Sequence, residues 1–158
     1  MALMLSGLAL PAWAGQIDAA IYHFKLTFDD ADWKTADGDF PLRCINPACK
    51  AISCSVMSHD HPETDAERAA DVKTAEANWP LLDMKIPPKL VKQPKITSPG
   101  ATTGVSWITR YETGIVYSFD FTTGLPTERA ALECQGATTN GKPMEKLFEK
   151  LLSGIEIH

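Results

Sequence analysis

The chemistry-bearing residues of this chain fall in three short stretches. "VMSHDHPE" places Met57, His59 and His61 at alternate positions, so an extended backbone would project all three from one face. A thioether with two imidazoles suits copper, and the two imidazoles alone could hold zinc or nickel. Against this, His59 and His61 also fit as solvated residues at a strand end, with Asp60 or His61 capping the next helix. "LECQGATTNGKP" carries Gly136, Gly141 and Lys142 in the G-x-x-x-x-G-K spacing of a phosphate-binding loop. Such a loop continues with Ser or Thr, whose hydroxyl binds magnesium, and here Pro143 stands instead. Gly136 and Asn140-Gly141 suit a tight turn and Pro143 a first helical position, so the stretch is expected to be a turn.

The third set is thiol chemistry. Cys44, Cys49, Cys54 and Cys134 form an even set, three of them in "CINPACKAISC". Their C-x4-C-x4-C spacing differs from the C-x2-C knuckles of structural zinc, and there is no C-x-x-C redox pair or C-x-x-C-H haem attachment. Disulfides are expected, with Cys44 bridged to Cys49 across a hairpin and Cys54 to Cys134 between strands. Strict alternation puts Cys49 and Cys54 on opposite strand faces, so the hairpin bridge needs a suitable turn or a bulge.

The first residues indicate the compartment. "MALMLSGLALPAWA" is apolar from Ala2 to Leu10 and ends in a small-x-small site, which reads as a signal peptide over 1–14 cleaved after Ala14. No Lys or Arg precedes the apolar run, and the run is shorter than the ~20 residues of a membrane-spanning helix. Periplasmic or secreted localisation is therefore expected, with residues 15–158 as a single domain. The net charge of −5, without clustered arginines, excludes nucleic acid as a partner class.

Periodicity predicts the elements that must position these groups. "IYHFKLTF" (21–28) reads as a strand, and "DDADWKTADGD" (29–39) as a turn-rich stretch with a helical turn around Trp33. Its acids, Asp29, Asp30, Asp32, Asp37 and Asp39, lack calcium-loop spacing and read as a solvated loop. "FPLRC" (40–44) and "KAISCSVMS" (50–58) form a hairpin around Asn46-Pro47. A helix over 62–79 opens on Pro62 and a Thr64–Glu67 capping box, with Ala66, Ala69, Val72, Ala75 and Trp79 as a stripe of mostly small residues for sheet packing.

Five prolines (Pro80, Pro87, Pro88, Pro94 and Pro99) and Lys85, Lys89, Lys92 and Lys95 mark an extended connection and edge strand. The same lysines could serve as a basic docking strip for an acidic partner. Strands at 104–112, 114–121 and 129–135 form a meander, and a closing helix from Pro143 presents Met144, Leu147, Phe148 and Leu151 and ends at Gly154. The fold class is α+β: an antiparallel sheet with helices packed on it, in one disulfide-stabilised domain.

With "FKLTFDDADW" at the start, a hairpin, a central helix, a meander and a closing "LFEKLLSGIEI", the element order resembles the Mog1/PsbP-like group. That resemblance implies an α/β/α sandwich and a role in binding or assembly, since members of the group are mostly binding or assembly factors. The four cysteines match no pattern of the group. No G-x-S-x-G elbow or H-E-x-x-H helix occurs. The expected function is a non-catalytic exported factor that binds another protein or a small ligand, without a cofactor. The alternative is a periplasmic copper- or zinc-binding protein using Met57, His59 and His61.

Overall fold

The computed structural model describes residues 14–38, 41–49, 51–59, 63–81, 85–125, 127–136 and 141–158. Of the expected leader over 1–14, residues 1–13 lie outside them and Ala14 belongs to the first strand; Asp39, His61, Pro62 and Asn140 also lie outside. Ten strands and two helices are formed among the described residues. In chain order these are β1 (Ala14–Ala19), β2 (Phe24–Asp29), β3 (Trp33–Thr35), β4 (Leu42–Cys44), β5 (Ser53–His59), α1 (Asp65–Asn78), β6 (Lys89–Thr97), β7 (Gly104–Tyr111), β8 (Gly114–Thr122), β9 (Arg129–Gly136), α2 (Gly141–Leu152) and β10 (Ile155–Ile157).

Seven strands form one antiparallel sheet in the order β3-β4-β5-β9-β8-β7-β6, and β1, β2 and β10 form a smaller antiparallel sheet. Period-two alternation sorts the large sheet's side chains into two unlike faces. One face carries Tyr117, Phe119 and Phe121 of β8 with Leu132 and Cys134 of β9, and this face is the apolar core. The small sheet delivers Phe24 edge-on to Phe121, with ring centroids 5.1 Å apart, and α2 delivers Phe148 to Tyr117 at 5.7 Å. Met144, Phe148, Leu151 and Leu152 are the buried residues of α2, each worth about 1.5–3 kcal/mol of burial. The opposite face carries Ser118 and Asp120, and α1 lies over it.

Several expectations change. The stretch around Trp33 is strand β3, because Trp33 fits at 1% exposure opposite Cys44 of β4. The first expected strand starts at Phe24, after a 3-10 turn over Ala20–Tyr22 that His23 closes in the left-handed region. Two further strands, β1 and β10, flank β2. Thr64 caps α1 with the expected capping box to Glu67. The small-residue stripe packs only in part: Ala69 and Trp79 are half-buried, Ala66 and Ala75 are exposed, and Val72 is the one buried residue among the described positions of α1.

Both cysteine pairs are disulfide-bonded, Cys44 to Cys49 and Cys54 to Cys134. Cys54 and Cys134 sit directly opposite each other on β5 and β9, on the core face. The face conflict at Cys49 does not arise, because β5 begins only at Ser53. Cys49 sits in a turn whose amides are held by Asn46, and Ala51 at φ 74 reverses the chain. Gly154 is required for a different reason: a Cβ there would meet the Thr27 carbonyl oxygen at 1.9 Å, where Thr27 donates to the Gly154 carbonyl.

The two bridges close loops of very different length, with sequence separations of 80 and 5. Chain entropy assigns about 4.5 kcal/mol to the first and about 2 kcal/mol to the second. Urea denaturation of Cys54→Ala/Cys134→Ala and Cys44→Ala/Cys49→Ala variants is expected to show the larger loss for the first pair.

Candidate functional site

The densest polar cluster lies between α1 and the Asp120 face of the large sheet. Asp120 is fully buried and Arg129 is 1% exposed. Their strands pair with Thr122 opposite Arg129 and Asp120 opposite Ala131, which sets the two side chains diagonally on one face. All five N–H donors of the Arg129 guanidinium are engaged: by the Asp120 carboxylate and carbonyl, the Glu63 carbonyl, Thr122 Oγ1 and Asp65 Oδ1. Burial opposes the guanidinium's charge, but Asp65 and Asp120 raise its pKa overall.

Asp120 Oδ2 also accepts from Arg68 Nε at 2.9 Å and stands 2.9 Å from His59 Nε2. Arg68 continues over the Trp107 ring at 5.5 Å. Beside them Ser118 donates to Glu133, whose carboxyl is pushed upward by burial. The cluster thus has a buried carboxylate, an imidazole, two guanidiniums and a hydroxyl. Within it the imidazole nitrogen faces the Asp120 carboxylate, and the Ser118 hydroxyl donates to Glu133 at 3.3 Å. What the cluster does is hold α1, because Asp65 and Arg68 are α1 residues and Glu63 leads into it.

The structure separates the expected metal ligands from one another in role. Met57 and His59 share a face of β5, with Met57 41% exposed and His59 engaged with Asp120. His61 lies outside the described residues. Among the described residues no cluster of three His, Cys, Asp or Glu side chains is placed to hold a metal. The acidic stretch binds a lysine: Lys150 Nζ is 2.7 Å from both Asp29 and Asp32, and Asn46 donates to Asp32 at 2.7 Å. Lys150 pulls the Asp29 carboxyl below its ordinary value.

The phosphate-loop spacing joins two elements in the wrong architecture for nucleotide. Gly136 ends β9, which is antiparallel to both its neighbours, and Gly141 opens α2 at φ 48 with Pro143 in the first turn. A phosphate loop instead opens a helix within a parallel unit. Residues 137–140 lie outside the described set.

The expected edge strand is β6, at one end of the large sheet. Its pairing with β7 shifts register between Leu90 and Lys92 and again between Lys92 and Lys95. Bulges, lysines and Pro94 are the features that discourage further strand addition. Between β6–β7 and α2 runs a groove of about 400 Å³.

No family model and no curated protein matches the sequence. Among solved structures, cyanobacterial PsbP (CyanoP) from Synechocystis sp. PCC 6803 superposes with a TM-score of 0.59 at 10% identity, over 98% of this chain and 98% of that one. The fold is PsbP-like. At that identity the likeness carries architecture and no residue roles.

The residues missed by sequence reasoning are Asp120, Arg129 and Arg68. One signal was present: in "VYSFDF" an aspartate occupies the alternate position of an otherwise apolar strand. Arg129→Met leaves Asp120 and Asp65 facing a lost partner, and about 3–5 kcal/mol of destabilisation is expected in urea denaturation. Loss of hydrogen-exchange protection is expected first in α1.

Glu133 gives a pH signature. Its carboxyl titrates higher in the folded than in the unfolded chain, so its contribution is present at low pH and is lost as pH rises through the folded value. Glu133→Gln should therefore raise the melting temperature at pH 7 relative to the parent and change it little at pH 4.

Proposed function

We propose that the chain is an exported, non-catalytic binding or assembly factor. The observation that carries this reading is the use of its strongest chemical groups: His59, Asp120, Arg68 and Arg129 are spent on one another in docking α1. Two disulfides support an oxidising compartment, periplasmic or extracellular, with the leader removed after Ala14. No helix among the described residues is long and apolar enough to cross a membrane. The PsbP-like fold agrees with an interaction role.

The surface offers apolar side chains through which a partner could be met, Ile21 at 76% exposure and Val91 at 48% among them. A photo-crosslinking residue at either position, in protein expressed with its leader, is expected to give a discrete heavier adduct in the exported fraction. Absence of an adduct at both positions, together with a turnover abolished by His59→Ala in folded protein, would replace this reading with an enzymatic one.

A further inference from the structure

The groove between α2 and the β6–β7 edge has features that docking of α2 does not require. Its volume of about 400 Å³ lies within the range of small-ligand sites, roughly 300–1,000 Å³. Ile108, Phe148 and Leu152 supply apolar lining. Tyr117 also lines it, 2% exposed, and its hydroxyl makes no hydrogen bond among the described residues. The hydroxyl oxygen is open to the groove although the ring is buried, and burial with the nearby Glu145 charge keeps this phenol protonated, as a donor.

The charges are arranged across the groove. Lys92 of β6 pairs with Glu145 of α2 and so ties the two walls together. Lys95 on the strand wall and Glu149 on the helix wall are both exposed, and among the described residues neither makes an ion pair. The walls thus present one uncommitted cation and one uncommitted anion, with an apolar floor and a phenol between them. An anion alone would leave Glu149 unanswered, and a cation alone would leave Lys95 so. A molecule with both charges and an apolar middle answers each. Three residues of extended chain span up to about 10 Å, which sets the length of the peptide tested below.

We propose that this groove binds short apolar peptides in zwitterionic form, with the carboxylate at Lys95, the ammonium at Glu149 and a peptide carbonyl at the Tyr117 hydroxyl. The inference goes beyond the partner-binding role and fails separately from it, since neither Ile21 nor Val91 lines the groove.

Calorimetric titration of the oxidised protein with trileucine tests it, alongside N-acetyl-trileucine, trileucine amide and decanoate. Trileucine is expected to bind with a Kd of about 1 mM or tighter. Each cap should weaken binding about three- to fivefold, the scale of one exposed ion pair. The amide's penalty should vanish in Lys95→Met and the acetyl penalty in Glu149→Gln, whereas Tyr117→Phe should weaken trileucine with its ring packing on Phe148 kept. Thermal melts of the three variants verify that each is folded. No trileucine binding, cap penalties that persist in the variants, or decanoate binding as tightly as trileucine would each overturn the proposal.

Discussion

The ion pair between Asp120 and Arg129 is the constraint on which the layering depends. A helix normally docks on a sheet through an apolar stripe, yet α1 buries only Val72 among its described residues. The sheet face beneath it is correspondingly polar. Placing a carboxylate and a guanidinium there removes both from water, which is expensive unless each lone pair and proton is answered. Arg129 achieves this with five acceptors, and two of those, the Asp65 carboxylate and the Glu63 carbonyl, belong to α1 and its approach. The helix therefore completes the satisfaction of a charge that the sheet alone leaves open. This makes its docking directional: a shift by one turn would move Asp65 and Arg68 off their partners. Glu76, at the other end of α1, repeats the device by accepting from the Leu90 amide of β6.

The opposite face works by the ordinary apolar route, and the contrast explains where the disulfide belongs. Aromatic rings from β2, β8 and α2 interlock there, and Cys54–Cys134 lies within the same cluster. That bridge ties β5 to β9, the joint between the short strands β3–β5 and the long meander β6–β9. Beside it, the joint rests on the backbone pairing of β5 with β9, on His59 against Asp120, and on Ile52 in the core. Lys150 gives a third attachment by reaching from α2 to Asp29 and Asp32, although exposed pairs of this kind contribute at most about 1 kcal/mol.

Much of this arrangement was legible in the residues. The meander, both helices, the capping box at Thr64, the edge character of β6 and the α+β class can all be read from periodicity and punctuation. The rest was hidden for identifiable reasons. β1 is the peptide AGQIDA, which has little strand propensity and gains its pairing from β2. β10 is three residues long and pairs with β2 across more than a hundred residues of sequence. Trp33 sits among polar neighbours that read as a turn, and only β4 beside it makes a strand of the segment. Such tertiary pairings carry no local periodic signal. The α1 stripe misled in the other direction: alanines at helical spacing describe a surface that can approach closely, but charge, not smoothness, chose the face.

The same distinction governs the chemistry. His59 was visible as a ligand candidate because it alternates with Met57 and His61, but residue type does not say what the nitrogen meets. Here it meets Asp120, which already holds two arginines. The phosphate-loop spacing at Gly136 and Gly141 likewise reflects the demands of leaving a strand and starting a helix, which any β-to-α connection shares. In both cases described residues of a chemically suggestive stretch also serve the fold. The groups left over are the ones worth asking about: Lys95, Glu149 and the Tyr117 hydroxyl have no internal partner among the described residues, so their arrangement is not explained by stability. Function is more legible in what the fold leaves unsatisfied than in its most reactive residue types.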